Sequence, residues 1–456
     1  MTVTMGARSL DLATVEEQLL ARWPETKIEP SLDRIHRLME FVGDPQRSYR
    51  AVHLTGTNGK TSTARMVESL LMACGERTGR LTSPHLTSIR ERIAIAGQPV
   101  DAAAFVAAYV PVALQAECVD AIMEHPLSFF EMTVAMGYRA FADAGVDVAV
   151  VEVGMGGRWD ATNVIDADVA VILPIDLDHT DYLGPTTAAI AHEKAGIIKP
   201  GAVAVSSRQT DEVTAILRAR ADAVGAHLLV LDTDFGVDSR TVVDGGQVIS
   251  VRGSRASYDQ VRLALHGRHQ AENAACALVT VEALLGRPLT ADEVASGLAQ
   301  VTSPGRLDVH PGRPPIVLDA AHNPHGARAL AEALTELPHA RRYAVVAAMT
   351  DKDIEGVLRE LEPVVTEVVC TSNSSPRSLG AQDLAEIARR VFPPERVHLA
   401  RNVLTAIQVA RARATPPGAA WDGMVLVTGS VVTVSDAARV LPARATDRPM
   451  DQPLPG

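Results

Sequence analysis

Short apolar runs punctuate this chain, and stretches of helical periodicity separate them. Ala51–Leu54, Val148–Val153, Val169–Leu173 and Ala202–Ser206 are such runs, as are Ile316–Leu318, Tyr343–Ala347, Glu367–Thr371 and Met424–Thr428. Near-continuous apolar runs predict strands covered on both faces, the mark of a parallel sheet. Helical spacing runs over Ala64–Leu71, Phe130–Ala144, Ala188–Ala195 and Pro324–Leu334. Strand and helix patterns in alternation define an α/β fold class. Val230–Arg262 differs, being rich in Gly, Asp, Val and Ser, and predicts short antiparallel strands. Gly267–Leu285 then reads as a helix, and SPGRLD at Ser303–Asp308 marks a boundary before a second α/β alternation. The first ten residues and everything from Pro442 carry no pattern and are expected to be loose.

Composition narrows the class. The 456 residues allow two or three domains, and a hydrophobic fraction of 47% is ample for their cores. A formal charge of −12 argues against broad nucleic-acid or anionic-membrane binding, though not against nucleotides at a locally basic site. Cys74, Cys118, Cys276 and Cys370 are scattered with no C-x-x-C pair, which suits buried thiols in a reducing compartment. No signal peptide is evident and no 18-residue apolar run suggests a membrane span, so the cytoplasm is the expected location.

The strongest chemical signal is TGTNGKTST at Thr55–Thr63, between an apolar strand and a helix. Gly56 and Gly59 let backbone N–H groups turn toward phosphate, and the helix starting near Lys60 adds its dipole. Lys60 can reach β- and γ-phosphates, and Thr61 offers a hydroxyl for Mg²⁺. Leu54 occupies the place of the usual first glycine, so the loop is a G-x-x-G-K-T variant. The plainer alternative is an ordinary Gly-rich βα turn. A second cluster, VVEVGMGGRWDATN at Val150–Asn163, ends an apolar strand in Glu152. Ligands of an open parallel sheet sit beyond the carboxyl ends of its strands, where Glu152 could hold Mg²⁺ beside phosphate; a surface Glu is the alternative. A third, PIDLDHTDY at Pro174–Tyr182, places His179 among Asp176, Asp178 and Asp181. It reads equally as a metal ligand oriented by carboxylates or as a hydrogen-bonded loop histidine.

These motifs together resemble the folylpolyglutamate synthase and dihydrofolate synthase family of the Mur ligase superfamily. TGTNGKTS at 55–62, TSPHL at 82–86, RERI at 90–93, FFEMT at 129–133 and EVGMGGRWDATN at 152–163 carry the resemblance. DHTDYLG at 178–184, EKAGIIKPG at 193–201, HQAENA at 269–274, SPGR at 303–306 and DAAHNPHG at 319–326 continue it in family order. Two departures are Thr61, where many members carry Gly, and Trp159, where Leu is common. The resemblance implies a P-loop ATPase-like parallel-sheet domain with a small antiparallel subregion over 1–302. A linker at 303–308, a smaller Rossmann-like α/β glutamate ligase domain over 309–441 and a loose tail at 442–456 would follow.

The same resemblance implies an ATP-dependent ligase that adds L-glutamate to dihydropteroate, to reduced folates or to both, through an acyl phosphate. A Mur-type peptide ligase and a regulatory P-loop NTPase are the alternatives. It assigns ATP contacts to Thr57, Asn58, Gly59, Lys60, Thr61, Ser62, Asn273, Arg306 and Asp319. It assigns magnesium, as two ions, to Thr61, Ser83, Glu152 and His179. Lys194 falls where the superfamily carbamylates a lysine, the alternative being a solvated helix lysine. Lys60, Lys194 and His322 form the expected catalytic set, and His322 and Ser430 are expected near the incoming glutamate. For Ser430 a helix N-cap is the alternative. Arg34, Phe129, Phe130, Trp159, Asp160 and Ala161 are expected at the pterin; flat rings stack on aromatic faces, and a carboxylate accepts from ring N–H groups. A pair of core phenylalanines is the alternative for Phe129 and Phe130. The expected partners are small molecules, with no nucleic acid and no membrane, for a protein acting as a monomer.

Overall fold

The computed structural model describes residues 10–24, 30–415 and 423–441; the first nine residues and the tail from 442 lie outside the described residues. The first sheet contains β1 (Arg50–Thr55), β2 (Thr78–Leu81), β3 (Ile93–Ile95) and β4 (Gln98–Pro99). It continues with β5 (Val148–Glu152), β6 (Val169–Ile172), β7 (Val203–Ser206) and β8 (His227–Val230). Their order is β4-β3-β2-β5-β1-β6-β7-β8. Pairing is parallel from β2 to β8, while β3 and β4 extend one edge antiparallel. Every residue of β5 and β6 is buried, as near-continuous apolar sequence requires.

The predicted central strands form within a residue or two of their expected ends. β2 was not legible, because Thr-Gly-Arg-Leu does not read as a core strand. It is buried because Arg80, 1% exposed, meets Glu68 at 2.6 Å and donates to Thr82 Oγ1. Gly79 also lies so close to the Phe141 ring that a Cβ would stand 2.4 Å from it. A second difference is the helix Ala102–Ile122, which is long and apolar enough to cross a membrane, contrary to the expectation that no segment is. Phe105, Ala108, Tyr109, Val112, Ala116 and Val119 form its buried stripe, at the spacing of a helix packed on a core.

Val230–Arg262 does contain antiparallel strands: β9 (Gly236–Val243), β10 (Gly246–Arg252) and β11 (Ser257–Leu263) form a separate sheet in the order β11-β10-β9. Glu282, fully buried on the helix Arg268–Leu285, fastens this sheet. It accepts from Tyr258 Oη at 2.6 Å, from Ser254 N and Oγ, and from Arg255 N.

The chain divides into two compact units. One runs to Ala264 and resumes over Gln270–Thr302; the other takes Leu265–His269 and the described residues from Ser303. The second has its own core and a sheet of β12 (Asp308–His310), β13 (Ile316–Leu318), β14 (Arg341–Val346), β15 (Glu367–Cys370), β16 (Val397–Leu399) and β17 (Gly423–Thr428). The order is β12-β13-β17-β14-β15-β16, with only the β12–β13 pair antiparallel. Residues 303–308 are bound into this unit rather than free of it. Ala320 N donates to the Gly305 carbonyl at 2.9 Å, and Leu307 N donates to Asp319 at 2.7 Å.

Removing Glu282 leaves the buried Tyr258 hydroxyl and the partly buried donors of Ser254 and Arg255 without their acceptor. We expect Glu282→Ala to lose about 3 kcal/mol of stability, read as a lower urea midpoint; an unchanged midpoint would mean that water replaces the carboxylate.

Candidate active site

The site is built at the carboxyl ends of neighbouring strands. β1 lies between β5 and β6, and β2 flanks β5. The phosphate loop leaves β1, Glu152 ends β5, the His179 loop follows β6 and Ser83 follows β2. Register places Leu54 opposite Glu152. Thr61 Oγ1, one residue into the helix Lys60–Ala73, therefore meets both Glu152 carboxylate oxygens at 3.0 Å.

The loop is held from beneath. Thr57 N donates to the Pro174 carbonyl at 2.8 Å, and Thr57 Oγ1 donates to the Asp176 carbonyl at 2.9 Å. Gly59 has φ +87°, a left-handed conformation that starts the helix without a side-chain cap. A Cβ there would stand 3.0 Å from Asn273 Oδ1. Asn273 is fixed in turn by Gln270, whose Nε2 donates to Ser62 Oγ at 3.3 Å and whose Oε1 accepts from Asn273. Asn273 thus sits directly against the phosphate loop.

Two lysines share one carbonyl. Lys60 Nζ donates to the Gly56 oxygen at 2.8 Å, and Lys194 Nζ donates to the same oxygen at 3.2 Å. Lys194 is 4% exposed, which removes the alternative of a solvated helix lysine. Burial, then the charge of Lys60, pushes its pKa down to about 7 against the opposing pull of Asp178, Asp160 and Glu193. The Gly-rich turn 154–160 makes this burial possible. Gly157 lies against the Lys194 backbone, Arg158 N donates to the Glu193 carbonyl and Trp159 N donates to the Glu193 carboxylate.

His179 has φ +51° and is 39% exposed, with Asp178 Oδ2 at 3.9 Å. Among the described residues no three His, Cys, Asp or Glu side chains form a metal cage. Glu152 and the hydroxyls of Thr61 and Ser83 are hard oxygen donors, and such a sparse set suits Mg²⁺, which keeps waters and phosphate oxygens as further ligands.

Of the expected pterin residues, Arg34, Phe129 and Phe130 lie at the start of the helix Phe129–Ala144, and Trp159, Asp160 and Ala161 lie on and after the Gly-rich turn. Arg34 Nε meets Glu131 at 3.1 Å, and Glu131 closes a capping box with Ser128. Phe129 is buried with the Arg92 guanidinium 4.8 Å above its ring. Phe130 packs on Gly154, where a Cβ would be 2.5 Å from its ring. Trp159 is 47% exposed and carries Arg158 5.3 Å over its ring. Ala161 is buried. Asp160 is not the open acceptor expected at a pterin. Its carboxylate accepts from Thr162 N, Thr162 Oγ1 and Met155 N. Burial raises its pKa, and those bonds oppose the rise.

His53, in the middle of β1, went unremarked in the sequence because a lone histidine in a strand carries no signal. It is fully buried, and its Nε2 lies 2.8 Å from Thr162 Oγ1. Thr162 spends its one proton on Asp160, so His53 Nε2 carries the hydrogen and donates. Burial pushes the His53 pKa down to about 3, keeping the ring neutral.

In the second unit, Asp319 accepts from Leu307 N and Ala321 N. Burial raises its pKa against the charge of Arg306. In its neutral form, His322 donates from Nδ1 to the Ala320 carbonyl at 2.9 Å, leaving Nε2 as the lone-pair nitrogen. Ser430 is the N-cap of the helix Val431–Val440. It accepts from Thr433 N and Asn373 Nδ2, and pairs with Thr433 Oγ1 at 2.7 Å. Thr433 Oγ1 gives its own proton to the Ala347 carbonyl, so Ser430 donates to Thr433 and its hydroxyl is fully engaged.

Known proteins of similar sequence and structure define the class. The Mur ligase middle domain matches residues 54–281, and the Mur ligase glutamate ligase domain matches residues 305–431. The chain belongs to the Mur ligases. Within them it belongs to the dihydrofolate synthase/folylpolyglutamate synthase family. The Mycobacterium tuberculosis dihydrofolate synthase/folylpolyglutamate synthase is 48% identical, over 94% of this chain and 93% of the relative. A structure of M. tuberculosis folylpolyglutamate synthase complexed with ADP superposes at TM-score 0.90 and 47% identity, covering 94% of this chain and 98% of that one. Escherichia coli FolC in complex with DHPP and ADP matches at 0.83 and 30%, over 96% and 99%. A bifunctional folylpolyglutamate synthase/dihydrofolate synthase with Mn, AMPPNP and L-glutamate bound matches at 0.81 and 30%, over 95% and 99%.

Thr162→Val would leave His53 without its acceptor and remove one of the three donors to Asp160 while keeping side-chain shape. We expect a loss of about 2 kcal/mol, measured by urea denaturation. An unchanged midpoint would show that the buried chain contributes nothing net.

Proposed function

We propose that this protein is an ATP-dependent ligase that joins L-glutamate to dihydropteroate, and to the γ-carboxyl of reduced folates, by way of an acyl phosphate. The observation that carries the reading is the meeting of Lys60, Thr61 and Glu152 at one sheet edge, on a chain 48% identical to a named dihydrofolate synthase/folylpolyglutamate synthase. A carboxylate is a poor electrophile. Its oxygen attacks the γ-phosphorus of ATP, the bond to the β-phosphate oxygen breaks, and ADP leaves with the electron pair. The amine of glutamate then forms the C–N bond, phosphate departs with the C–O electrons, and the amine proton passes to solvent.

Residue roles follow from this chemistry. Backbone N–H groups of Asn58–Ser62 and the Lys60 ammonium offset the charge on the phosphates, while Thr57, whose N–H is given to the Pro174 carbonyl, anchors the loop. Asn273, by its place against Gly59, holds the loop's nucleotide-facing side. Arg306 and Asp319 are assigned to ATP as well. Thr61, Ser83, Glu152 and His179 would hold magnesium, which when bound polarises the transferring phosphoryl group; the reading of two ions belongs to the same proposal. Arg34, Phe129, Phe130, Trp159 and Ala161 are assigned to the pterin, with Asp160 shaping the turn that presents Trp159. His322 is assigned to glutamate. For Ser430 we favour the capping role, which holds the start of the helix in place beside the glutamate-binding residues. Free thiols and small-molecule substrates fit a monomer working in the cytoplasm.

Lys194 is assigned a carbamate. Carbon dioxide adds to a neutral amine, and a pKa of about 7 leaves roughly half of this amine neutral near pH 7. The product is an anion beside Lys60, which replaces cation–cation repulsion with attraction.

Lys60→Ala should lower ligation at least a hundredfold, about 3 kcal/mol of transition-state stabilisation, with the fold intact by circular dichroism. Glu152→Gln should raise the Mg²⁺ concentration needed for half-maximal rate. Near-normal product from a folded Lys60→Ala protein would remove the reading.

A ¹³C-bicarbonate NMR experiment tests the carbamate. A carbamate resonance should be weak at about pH 6, where the amine is mostly protonated, and grow toward about pH 8. It should be missing in Lys194→Gln. A wild-type spectrum without it at both pH values would refute the assignment.

A further inference from the structure

Among the described residues, Arg65 near the phosphate loop makes no hydrogen bond with its buried Nε. Arg65 follows Thr61 by one helical turn on Lys60–Ala73, so the two side chains share a face. Thr61 meets Glu152 there. The Arg65 Nε is buried without a hydrogen-bond partner, and the side chain forms no hydrogen bond or ion pair. Burial, then the charge of Arg80, disfavours its positive charge, against the pull of Glu68, Glu91 and Glu152.

Those carboxylates are engaged elsewhere. Glu68 takes Arg80 at 2.6 Å and Gly97 N at 3.2 Å. Glu91 takes the N–H groups of Leu86, Thr87 and Ser88. Glu152 takes Thr61. A guanidinium is always charged at neutral pH, and its planar fork matches two oxygens of one carboxylate or phosphoryl group. Leaving a buried donor unmade is unfavourable, so this position favours an added oxyanion.

We propose that Arg65 binds the reacting carboxylate of the acceptor and keeps hold of it as the acyl phosphate forms. The inference rests on the reading of Lys60 and Glu152 as the phosphoryl-transfer site, and it adds the residue that places the nucleophilic oxygen there. Lys60 serves the phosphates of ATP. Arg65, a turn further along the helix and within the field of Glu152, serves the other reactant. Two anions would otherwise repel each other at the moment of attack, and a second cation offsets that repulsion. No local pattern marks Arg65, because an arginine in an amphipathic helix most often lies on the solvated face.

The test measures binding, by calorimetry with Mg²⁺ and AMPPNP present, of dihydropteroate and of its primary carboxamide. The carboxamide keeps the ring and shape but lacks the oxyanion. Wild type should prefer the acid. In Arg65→Gln the acid should bind about tenfold more weakly, with the carboxamide and AMPPNP changed less than about twofold. Arg65→Lys, which keeps charge and loses the fork, should fall between. If Arg65→Gln fails to fold, a lower acid-to-amide ratio in Arg65→Lys supports the same conclusion. An acid-to-amide ratio equal to wild type in the folded variants overturns the proposal. If Lys60→Ala is inactive while that ratio is unchanged, this inference alone fails; if Lys60→Ala still ligates, the underlying site reading fails with it.

Discussion

The pairing of β1 with β5 on one side and β6 on the other is the constraint on which the site depends. It sets Leu54 beside Glu152, which puts the carboxylate against Thr61 at the start of the phosphate-loop helix. It also brings the loop after β6 under the phosphate loop, where Pro174 and Asp176 anchor Thr57. A parallel sheet exposes its strand ends along a single edge, so groups far apart in sequence become neighbours without any loop being long. A slip of one residue at β1 would turn Glu152 away from Thr61, because strand side chains alternate faces.

Charge is the second organising factor. Lys60 and Lys194 converge on the Gly56 carbonyl, and Arg65 stands a turn along the same helix as Lys60. So many cations in one place destabilise the protein alone and favour anionic ligands. Anionic groups such as a nucleotide's phosphates are stabilised where the fold has concentrated positive charge. The Gly-rich turn 154–160 serves this arrangement by letting the Lys194 helix approach closely. The same turn is tied through Asp160 and Thr162 to His53 in β1, so the turn and the strand that leads into the phosphate loop share one buried support.

The second unit repeats the principle with different chemistry. Asp319 holds Leu307 N and Ala321 N, fixing the SPGRLD segment beside β13 and leaving His322 oriented by the Ala320 carbonyl. Ser430 is spent on capping, so whatever it does for a ligand it does through the backbone it positions.

Much of this was legible in the residues. Near-continuous apolar runs set β1, β5, β6, β13, β14, β15 and β17, because burial on both faces of a strand is written locally. Glycines followed by Lys and Thr specified the phosphate loop, because that turn admits few other residues. The motifs in family order specified a glutamate ligase of the folate type. Other features were decided by neighbours distant in sequence. Lys194 is buried because of a carbonyl 138 residues away. β2 forms because Glu68 neutralises Arg80, and Phe141 fits against Gly79. Asp160 is occupied by Met155 and Thr162, and among the described residues the Arg65 Nε has no hydrogen-bond partner because its acidic neighbours bond elsewhere. Periodicity and motif spacing are properties of the chain, whereas whether a charged side chain is solvated, paired or left waiting for a ligand depends on which groups the folded sheet brings to it.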